Sequence, residues 1–260
     1  MLSKDVSCIN ESKLKIVFIV PYRDRKEHKH FFEKYMEYIL EDYDPESYIV
    51  IFSEQKNNNP FNRGATKNLG FLYIKKKFPK LYSRLTFVFN DVDNIPFKKN
   101  LLDYQTKRGI IKHFYGYNFS LGGIVSVNGS DFNMMNGFPN YWGWGFEDTM
   151  LYRRALKYNL KINRDTFFPV LSHSIIHLSD NSTNNTVFKK QQNEIKKKET
   201  DGLNTLRNIN QEWDENNHIL NNITFDCSYL INDDFFMNDV LNGLKVNNKK
   251  ANKNQLIFFK

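Results

Sequence analysis

Short apolar runs alternate with amphipathic stretches in the first part of the chain, and this order constrains the fold more than any other feature. The runs Lys15–Pro21, Tyr48–Phe52 and Leu85–Phe89 are rich in β-branched and aromatic residues, which is typical of buried strands. Between them, Arg25–Leu40 and Ala65–Lys77 place apolar residues at helical spacing. Repeated β-α-β units predict an α/β fold with a mainly parallel central sheet flanked by helices, and ligands bound at the carboxyl ends of the strands.

Length, charge and cysteine content favour one soluble domain. The chain has 260 residues, which suits a single large domain. We predict an N-terminal extension at 1–13, the domain at 14–246 and a flexible basic tail at 247–260. The formal net charge of +8 favours anionic partners. The 2 cysteines are too few for a disulfide framework, and no apolar stretch approaches the ~20 residues that cross a bilayer, so we expect no membrane segment.

Two carboxylates follow the third predicted strand. Asp91 and Asp93 come directly after Leu85–Phe89, so both lie where ligands of such a sheet bind. Carboxylates completed by phosphate oxygens are the usual way to hold Mg²⁺ or Mn²⁺ beside a nucleotide. The structural alternative is an acidic turn that ends a strand.

A second group of candidate residues precedes a predicted helix. The segment contains Trp142, Trp144, Gly145, Glu147 and Asp148. Glycine permits close approach of the backbone to a ligand, an indole offers a flat apolar face for a sugar ring, and a carboxylate can accept a hydroxyl proton. The alternative is a helix N-terminus, which favours acidic residues, packed against core tryptophans. We favour the functional interpretation.

Histidines and arginines complete the candidate set. His173 and His177 follow an apolar stretch, and either imidazole would add a nitrogen ligand to the proposed cation, which favours Mn²⁺ over Mg²⁺. Arg23, Arg25 and Arg63 lie just after strands or in loops on the ligand side, where guanidinium groups match phosphate oxygens. Together with the carboxylates, they indicate a nucleoside diphosphate.

These residues resemble the β-1,4-galactosyltransferase family from about Lys15 to Cys227. The resemblance implies a GT-A fold, which is a Rossmann-like single domain, and an inverting transfer of a sugar from a UDP-sugar donor assisted by Mn²⁺. The matching segments, in family order, are Ile19–His28, Phe61–Gly64, Phe87–Pro96, Gly122–Gly123, Asn136–Asp148 and Asp201–Asn204.

The resemblance also implies a role for individual residues. Asp93 resembles the metal ligand, Asp148 the base that deprotonates the acceptor hydroxyl, and Glu147 its support. His177 resembles the metal-binding histidine better than His173 does, and His173 is the alternative for a third ligand. The residues that resemble the donor-binding set, including the mobile loop that closes over the donor, are Pro21, Arg23, Arg25, Phe61, Arg63, Asp91, Val92, Trp144 and Gly145.

One departure from the family bears on the donor sugar. Ser120 stands where galactose-specific members have a tyrosine, which leaves room for an N-acetyl group and makes UDP-GalNAc a donor beside UDP-galactose. The acceptor implied by the resemblance is a glycan that ends in GlcNAc or xylose.

Two other functions fit part of the pattern. The first is a chondroitin-polymerase-like hexosaminyltransferase, which shares the paired-aspartate and Gly-Trp-Gly-x-Glu-Asp motifs. The second is a basic module that binds glycans or nucleic acid without turnover, but it gives no reason for the carboxylates, so we expect no nucleic-acid partner. Because the chain has no apolar N-terminal helix, we expect a cytoplasmic protein of a microbe or virus rather than a protein of the Golgi lumen.

Overall fold

The computed structural model describes residues 9–143, 145–179 and 200–228. The four α-helices of these residues are α1 (Lys26–Ile39), α2 (Arg63–Lys77), α3 (Gly129–Met134) and α4 (Glu147–Lys157). Their strands are β1 (Ile16–Tyr22), β2 (Tyr48–Gln55), β3 (Thr86–Asn90), β4 (Asn94–Pro96), β5 (Ile110–Gly116), β6 (Ile124–Asn128), β7 (Lys161–Asn163), β8 (Phe168–Pro169), β9 (Ile175–His177), β10 (Arg207–Asp214) and β11 (Ile219–Asp226).

The strands form one large mixed sheet and one small sheet. The large sheet has the order β10-β11-β2-β1-β3-β6-β5-β7, with β8 also paired to β5, and β4 pairs with β9 apart from it. The stretch β11-β2-β1-β3 is parallel, as predicted, but β6 is antiparallel to both β3 and β5. The sheet is mixed because a short loop, rather than a crossover helix, joins β5 to β6.

The central strand β1 is buried on both faces, which explains its unbroken apolar sequence. Ile16, Phe18 and Val20 belong to the core on one side of the sheet. Val17 and Ile19 belong to the core on the other side. This alternation follows the two-residue period of a strand.

The helix α2 is buried over most of its length and leads directly to the ligand side of the sheet. The Asn62 side chain caps its start by accepting a hydrogen bond from the Ala65 amide at 2.9 Å. A Cβ on Gly70 would lie 2.7 Å from Cγ2 of Ile19, so only glycine permits this approach of α2 to β1. Since side chains four residues apart share a helix face, Arg63 and Lys67 both point towards the carboxyl ends of the strands.

Several elements were not predicted. The strand β10 lies within a polar stretch without a strand pattern, and its residues are mostly exposed at the edge of the large sheet. No helix in the described part of the chain combines the length and apolar character needed to cross a bilayer. The tail predicted at 247–260 lies outside the described residues.

Candidate active site

The predicted ligand side of the sheet contains a cavity of about 720 Å³. It lies beyond the carboxyl ends of β1 and β3, where the chain order reverses from one side of β1 to the other. Eight of the predicted site residues line this cavity: Arg25, Arg63, Asp91, Asp93, Gly145, Glu147, Asp148 and His177. The fold therefore brings together motifs that are more than one hundred residues apart in the sequence.

Asp91 is held by two cations of α2. Its carboxylate lies 3.4 Å from Nη1 of Arg63 and 3.2 Å from Nζ of Lys67. Burial by itself would raise the pKa of Asp91, but the charges of Lys67 and Arg63 more than offset burial and keep this pKa below its usual value. Asp91 is therefore a permanent anion that orients both cations.

Asp93 has less compensation for its charge. Its Oδ2 lies 3.2 Å from Nη1 of Arg25, and its side chain is largely buried. Burial and the nearby charge of Asp91 raise the pKa of Asp93, and the cations Arg63 and Arg25 offset this only in part. Asp93 is thus the less compensated carboxylate of the two, and a bound cation would stabilise its charge.

His177 reaches Asp93 through the small sheet. The register of β4 and β9 pairs Asn94 with His177, and the Leu178 amide donates to the Asp93 carbonyl at 2.8 Å. Nδ1 of His177 lies 2.8 Å from Oδ1 of Asn94. Because that amide oxygen only accepts, Nδ1 carries the proton and Nε2 keeps the lone pair that a metal needs. One carboxylate and one imidazole, completed by diphosphate oxygens, suit Mn²⁺.

His173 does not join these two residues. It is exposed, it precedes β9, and it does not line the cavity. In the part of the chain that the structure describes, no three His, Cys, Asp or Glu side chains come close enough to hold a metal ion together. The alternative that made His173 a third ligand is thus without structural support, because the β4–β9 register brings only His177 to Asp93.

Glu147 and Asp148 open α4, where the helix dipole favours their negative charge. Burial, with the charges of Glu147 and Asp91, raises the pKa of Asp148 to about 7, although Lys67 lowers it. The loop before β6 packs tightly on this carboxylate, since a Cβ on Gly122 would lie 2.3 Å from Oδ2 of Asp148. The Asp148 side chain is 20% exposed towards the cavity, and its pKa suits a general base near neutral pH.

The glycine-rich segment before α4 takes left-handed backbone angles. Gly143, Gly145 and Phe146 have φ of 89°, 112° and 70°. The Gly143 amide donates to the Phe61 carbonyl at 3.1 Å, which ties this segment to the loop before α2. Trp144 lies outside the described residues. Trp142 is buried and stacks on Phe225 at 5.6 Å, so this indole belongs to the core, as the structural alternative proposed.

Four residues of the predicted donor-binding set do not line the cavity as the structure has it. Pro21 and Val92 are buried, and Nη1 of Arg23 donates to the Asn59 carbonyl. Phe61 is partly exposed at the start of the loop that leads to α2. Their roles stay predictions.

One charged residue beneath the cavity was not predicted from the sequence. Lys67 places its ammonium between Asp91 and Asp148, 3.2 Å and 3.5 Å away. Its position four residues after Arg63 was the available signal, because that spacing puts both side chains on one helix face.

Two segments of the chain match known families. Residues 4–105 match the N-terminal region of glycosyl transferase group 7, and residues 111–177 match the N-terminal domain of galactosyltransferase. β-1,4-Galactosyltransferase 1 of Bos taurus is 31% identical over 212 residues, which cover 77% of this chain and 51% of that protein. Xylosylprotein 4-β-galactosyltransferase of Caenorhabditis elegans is 31% identical over 159 residues, which cover 58% and 53%. The chain spans about half the length of these relatives.

Solved structures share the fold. The catalytic domain of Drosophila β1,4-galactosyltransferase 7 in complex with xylobiose superposes with a TM-score of 0.65 at 24% identity, over 83% of this chain and 95% of that one. A mutant of the Drosophila protein in complex with manganese, UDP-Gal and xylobiose gives a TM-score of 0.64 at 23% identity over the same shares. The predicted GT-A fold is confirmed.

The relatives also correct one expectation. They are animal galactosyltransferases of the Golgi type, so the expectation of a cytoplasmic protein from a microbe or virus is wrong. The family prediction is confirmed: with these two family matches and relatives at 30% to 31% identity, the chain belongs to the β-1,4-galactosyltransferase family.

Proposed function

We propose that the chain is a Mn²⁺-dependent inverting galactosyltransferase that moves galactose from UDP-galactose to a sugar hydroxyl of an acceptor glycan. One observation supports it most: Asp93 and His177, the arginines Arg25 and Arg63, and Asp148 all face one cavity. That cavity thus has candidate groups for a cation, for a diphosphate and for a proton. The names of the relatives and of the superposed complexes support the same activity.

The donor side of the cavity would bind the diphosphate. Each guanidinium has five N–H donors, and the ion pairs of Arg25 with Asp93 and of Arg63 with Asp91 aim these groups at the cavity. Asp93 and His177 would hold the cation. When bound, the cation supplies charge stabilisation to the leaving diphosphate.

On the acceptor side, Asp148 would act as the base. It takes the proton of the acceptor hydroxyl while that oxygen bonds to the anomeric carbon, and the bond from this carbon to the diphosphate oxygen breaks on the opposite face. One displacement of this kind inverts the anomeric centre. The pKa of about 7 lets Asp148 accept the proton near neutral pH, and Glu147 beside it adds negative charge that favours proton uptake.

The choice of sugars is a further part of the proposal. Ser120 lines the cavity, and its hydroxyl donates to the Tyr117 carbonyl at 3.3 Å. Because this side chain is small and leaves room for an N-acetyl group, we propose UDP-GalNAc as a second donor. Tyr117 and Phe119 stack at 5.2 Å on the cavity wall and are 53% and 59% exposed. Such rings offer an apolar face to the terminal GlcNAc or xylose of an acceptor glycan.

A UDP-release assay tests the proposal. Purified protein is given UDP-Gal, UDP-GalNAc, UDP-GlcNAc or UDP-Glc with acceptors that end in GlcNAc or xylose, and with Mn²⁺, Mg²⁺ or a chelator. We expect release only with a metal, faster with Mn²⁺, and only with UDP-Gal or UDP-GalNAc. Ser120→Tyr should lower the use of UDP-GalNAc relative to UDP-Gal.

Other results would favour the alternatives. Release from UDP-GlcNAc would indicate a hexosaminyltransferase of the chondroitin-polymerase kind. Salt-dependent binding of polyanions by folded protein that neither binds UDP nor releases it from any donor would indicate a binding module without turnover.

A further inference from the structure

Lys67 is the most deeply buried charge at the candidate site. Its side chain is 1% exposed, and its ammonium lies 3.2 Å from Oδ1 of Asp91 and 3.5 Å from Oδ1 of Asp148. The ring of Phe138 covers it, with Nζ 4.8 Å from the ring centroid. No solvent-facing surface is left for a substrate to reach.

A lysine in such a place is costly unless its charge is matched. Removing an ammonium from water carries a penalty of several kcal/mol, so lysines are almost never fully buried without partners. Both carboxylate partners of Lys67 belong to the cavity, one on the donor side and one on the acceptor side. The contacts of this lysine therefore tie the two halves of the site together.

We propose that Lys67 is a positioning residue for the transfer reaction, which favours the ionised form of the Asp148 carboxylate and holds it at a fixed distance from Asp91. The inference rests on the proposed function of Asp148 as the base. Lys67 acts through that carboxylate and touches neither sugar.

The charges around Asp148 support this role. Lys67 and Arg63 approach from α2, Glu147 precedes it on α4, and Asp91 follows β3. Burial raises the pKa of Asp148, and Lys67 is the largest of the influences that lower it. Lys67 itself stays protonated, because Asp148 and Asp91 raise its pKa despite burial. Without this ammonium, Asp148 would face two carboxylates and only one cation.

The test compares Lys67→Met, which removes the charge, with Lys67→Arg, which keeps it. Lys75→Met is the matched control, since Lys75 lies on the same helix and contacts Asn133 and the ring of Tyr82 away from the cavity. In the profile of kcat/KM against pH, we expect the acid limb of Lys67→Met to move up by about one pH unit or more. Lys67→Arg should stay close to the native limb, and Lys75→Met should match it. A uniform loss of kcat/KM at every pH would overturn the proposal.

A second readout does not depend on transfer. Protein with ¹³C-labelled aspartate is titrated by NMR without metal, and the Asp148 signal is assigned by its loss in Asp148→Asn. We expect its titration midpoint to rise in Lys67→Met and to stay near the native value in Lys67→Arg. If Lys67→Met does not fold, Lys67→Gln replaces it with the same expected shift. An unchanged midpoint would refute the inference, whereas absent transfer with a shifted midpoint would refute only the proposed function.

Discussion

The donor half and the acceptor half of the cavity are built in different ways. The donor half follows the ends of β1 and β3, which are parallel to each other and consist entirely of buried residues. The acceptor half rests on a glycine-rich segment with left-handed backbone angles and on the first turn of α4. Regular elements therefore position the groups proposed to bind the nucleotide, while an irregular segment leads into the helix turn that carries the proposed base.

The two halves of the cavity also differ in their electrostatics. Lys67 contacts both Asp91 and Asp148, yet the pKa of Asp91 is lowered and that of Asp148 is raised to about 7. Asp91 has Arg63 as a second cation, whereas Asp148 lies beside Glu147. One buried ammonium thus contacts both a carboxylate whose pKa is lowered and a carboxylate whose pKa is raised.

The largest loss of transfer is expected from a substitution that perturbs the donor half alone. Asp93→Ala should reduce transfer about 10⁴-fold, because a lost metal ligand removes several kcal/mol of stabilisation of the leaving group. Isothermal titration should show that UDP binding no longer depends on Mn²⁺. Normal binding with normal Mn²⁺ dependence would refute the assignment of Asp93 as a ligand.

The matching change in the acceptor half is Asp148→Asn. It should lower kcat about 10³-fold by removing the base, while UDP affinity stays within about twofold. Single-turnover kinetics beside UDP titration would measure both quantities. An unchanged kcat would exclude Asp148 as the base, and lost UDP binding would show that the two halves are not separate.

Replacing each of the two histidines tests which one belongs to the donor half. His177→Ala should weaken Mn²⁺ binding by at least about 10²-fold, since loss of even an outer partner of a metal ligand costs 10- to 100-fold. His173→Ala should change it less than twofold, because His173 is exposed and away from Asp93. Equal effects of the two variants would contradict the β4–β9 register as the source of the ligand.

Gly122→Ala perturbs the acceptor half without replacing a charged residue. The new Cβ would lie 2.3 Å from Oδ2 of Asp148, so the carboxylate must move. A misplacement of about 1 Å can cost up to about 10²-fold in rate, and we expect a loss of kcat of that size with native UDP affinity. Circular dichroism checks that Gly122→Ala keeps the native fold.

The smallest effect is the pH response of the native protein. Because the pKa of Asp148 is raised to about 7 and the base must be ionised, kcat/KM should fall about tenfold per pH unit below that value and level off above it. The profile is measured with saturating Mn²⁺. A profile that is flat from pH 5 to 8 would contradict this assignment of the base.

Strands with a clear apolar pattern were predicted from the sequence, and strands without one were missed. The runs of β1, β2 and β3 were predicted from continuous apolar sequence, because strands buried on both faces lack the alternation of apolar and polar residues that half-exposed strands show. The strand β5 was missed, since it includes Lys112 and His113. His113 is fully buried, and its Nε2 lies 3.0 Å and 3.1 Å from the carbonyls of Tyr115 and Gly122. Those partners exist only in the folded chain.

Site residues were predicted where their position depends on neighbouring sequence alone, and missed where it depends on contacts between distant segments. Asp91 and Asp93 were found because they directly follow a predicted strand. The choice between His177 and His173 depends on the register of β9 with β4, which short strands of three residues do not reveal in sequence. Lys67 escaped notice because a lysine on a helix normally faces solvent, and only the packing of α2 buries it.

The small β4–β9 sheet has a consequence for how the cation would be held. It has two strands of three residues outside the main sheet, and an isolated pair of strands is marginally stable. Local opening of such a pair costs less free energy than global unfolding, and opening would separate His177 from Asp93. A cation held by both residues would bind only the closed pair and would stabilise it by mass action. Metal binding and the closing of this sheet would then be coupled. The cation concentration would set the fraction of molecules with the small sheet closed, while the main sheet stays folded.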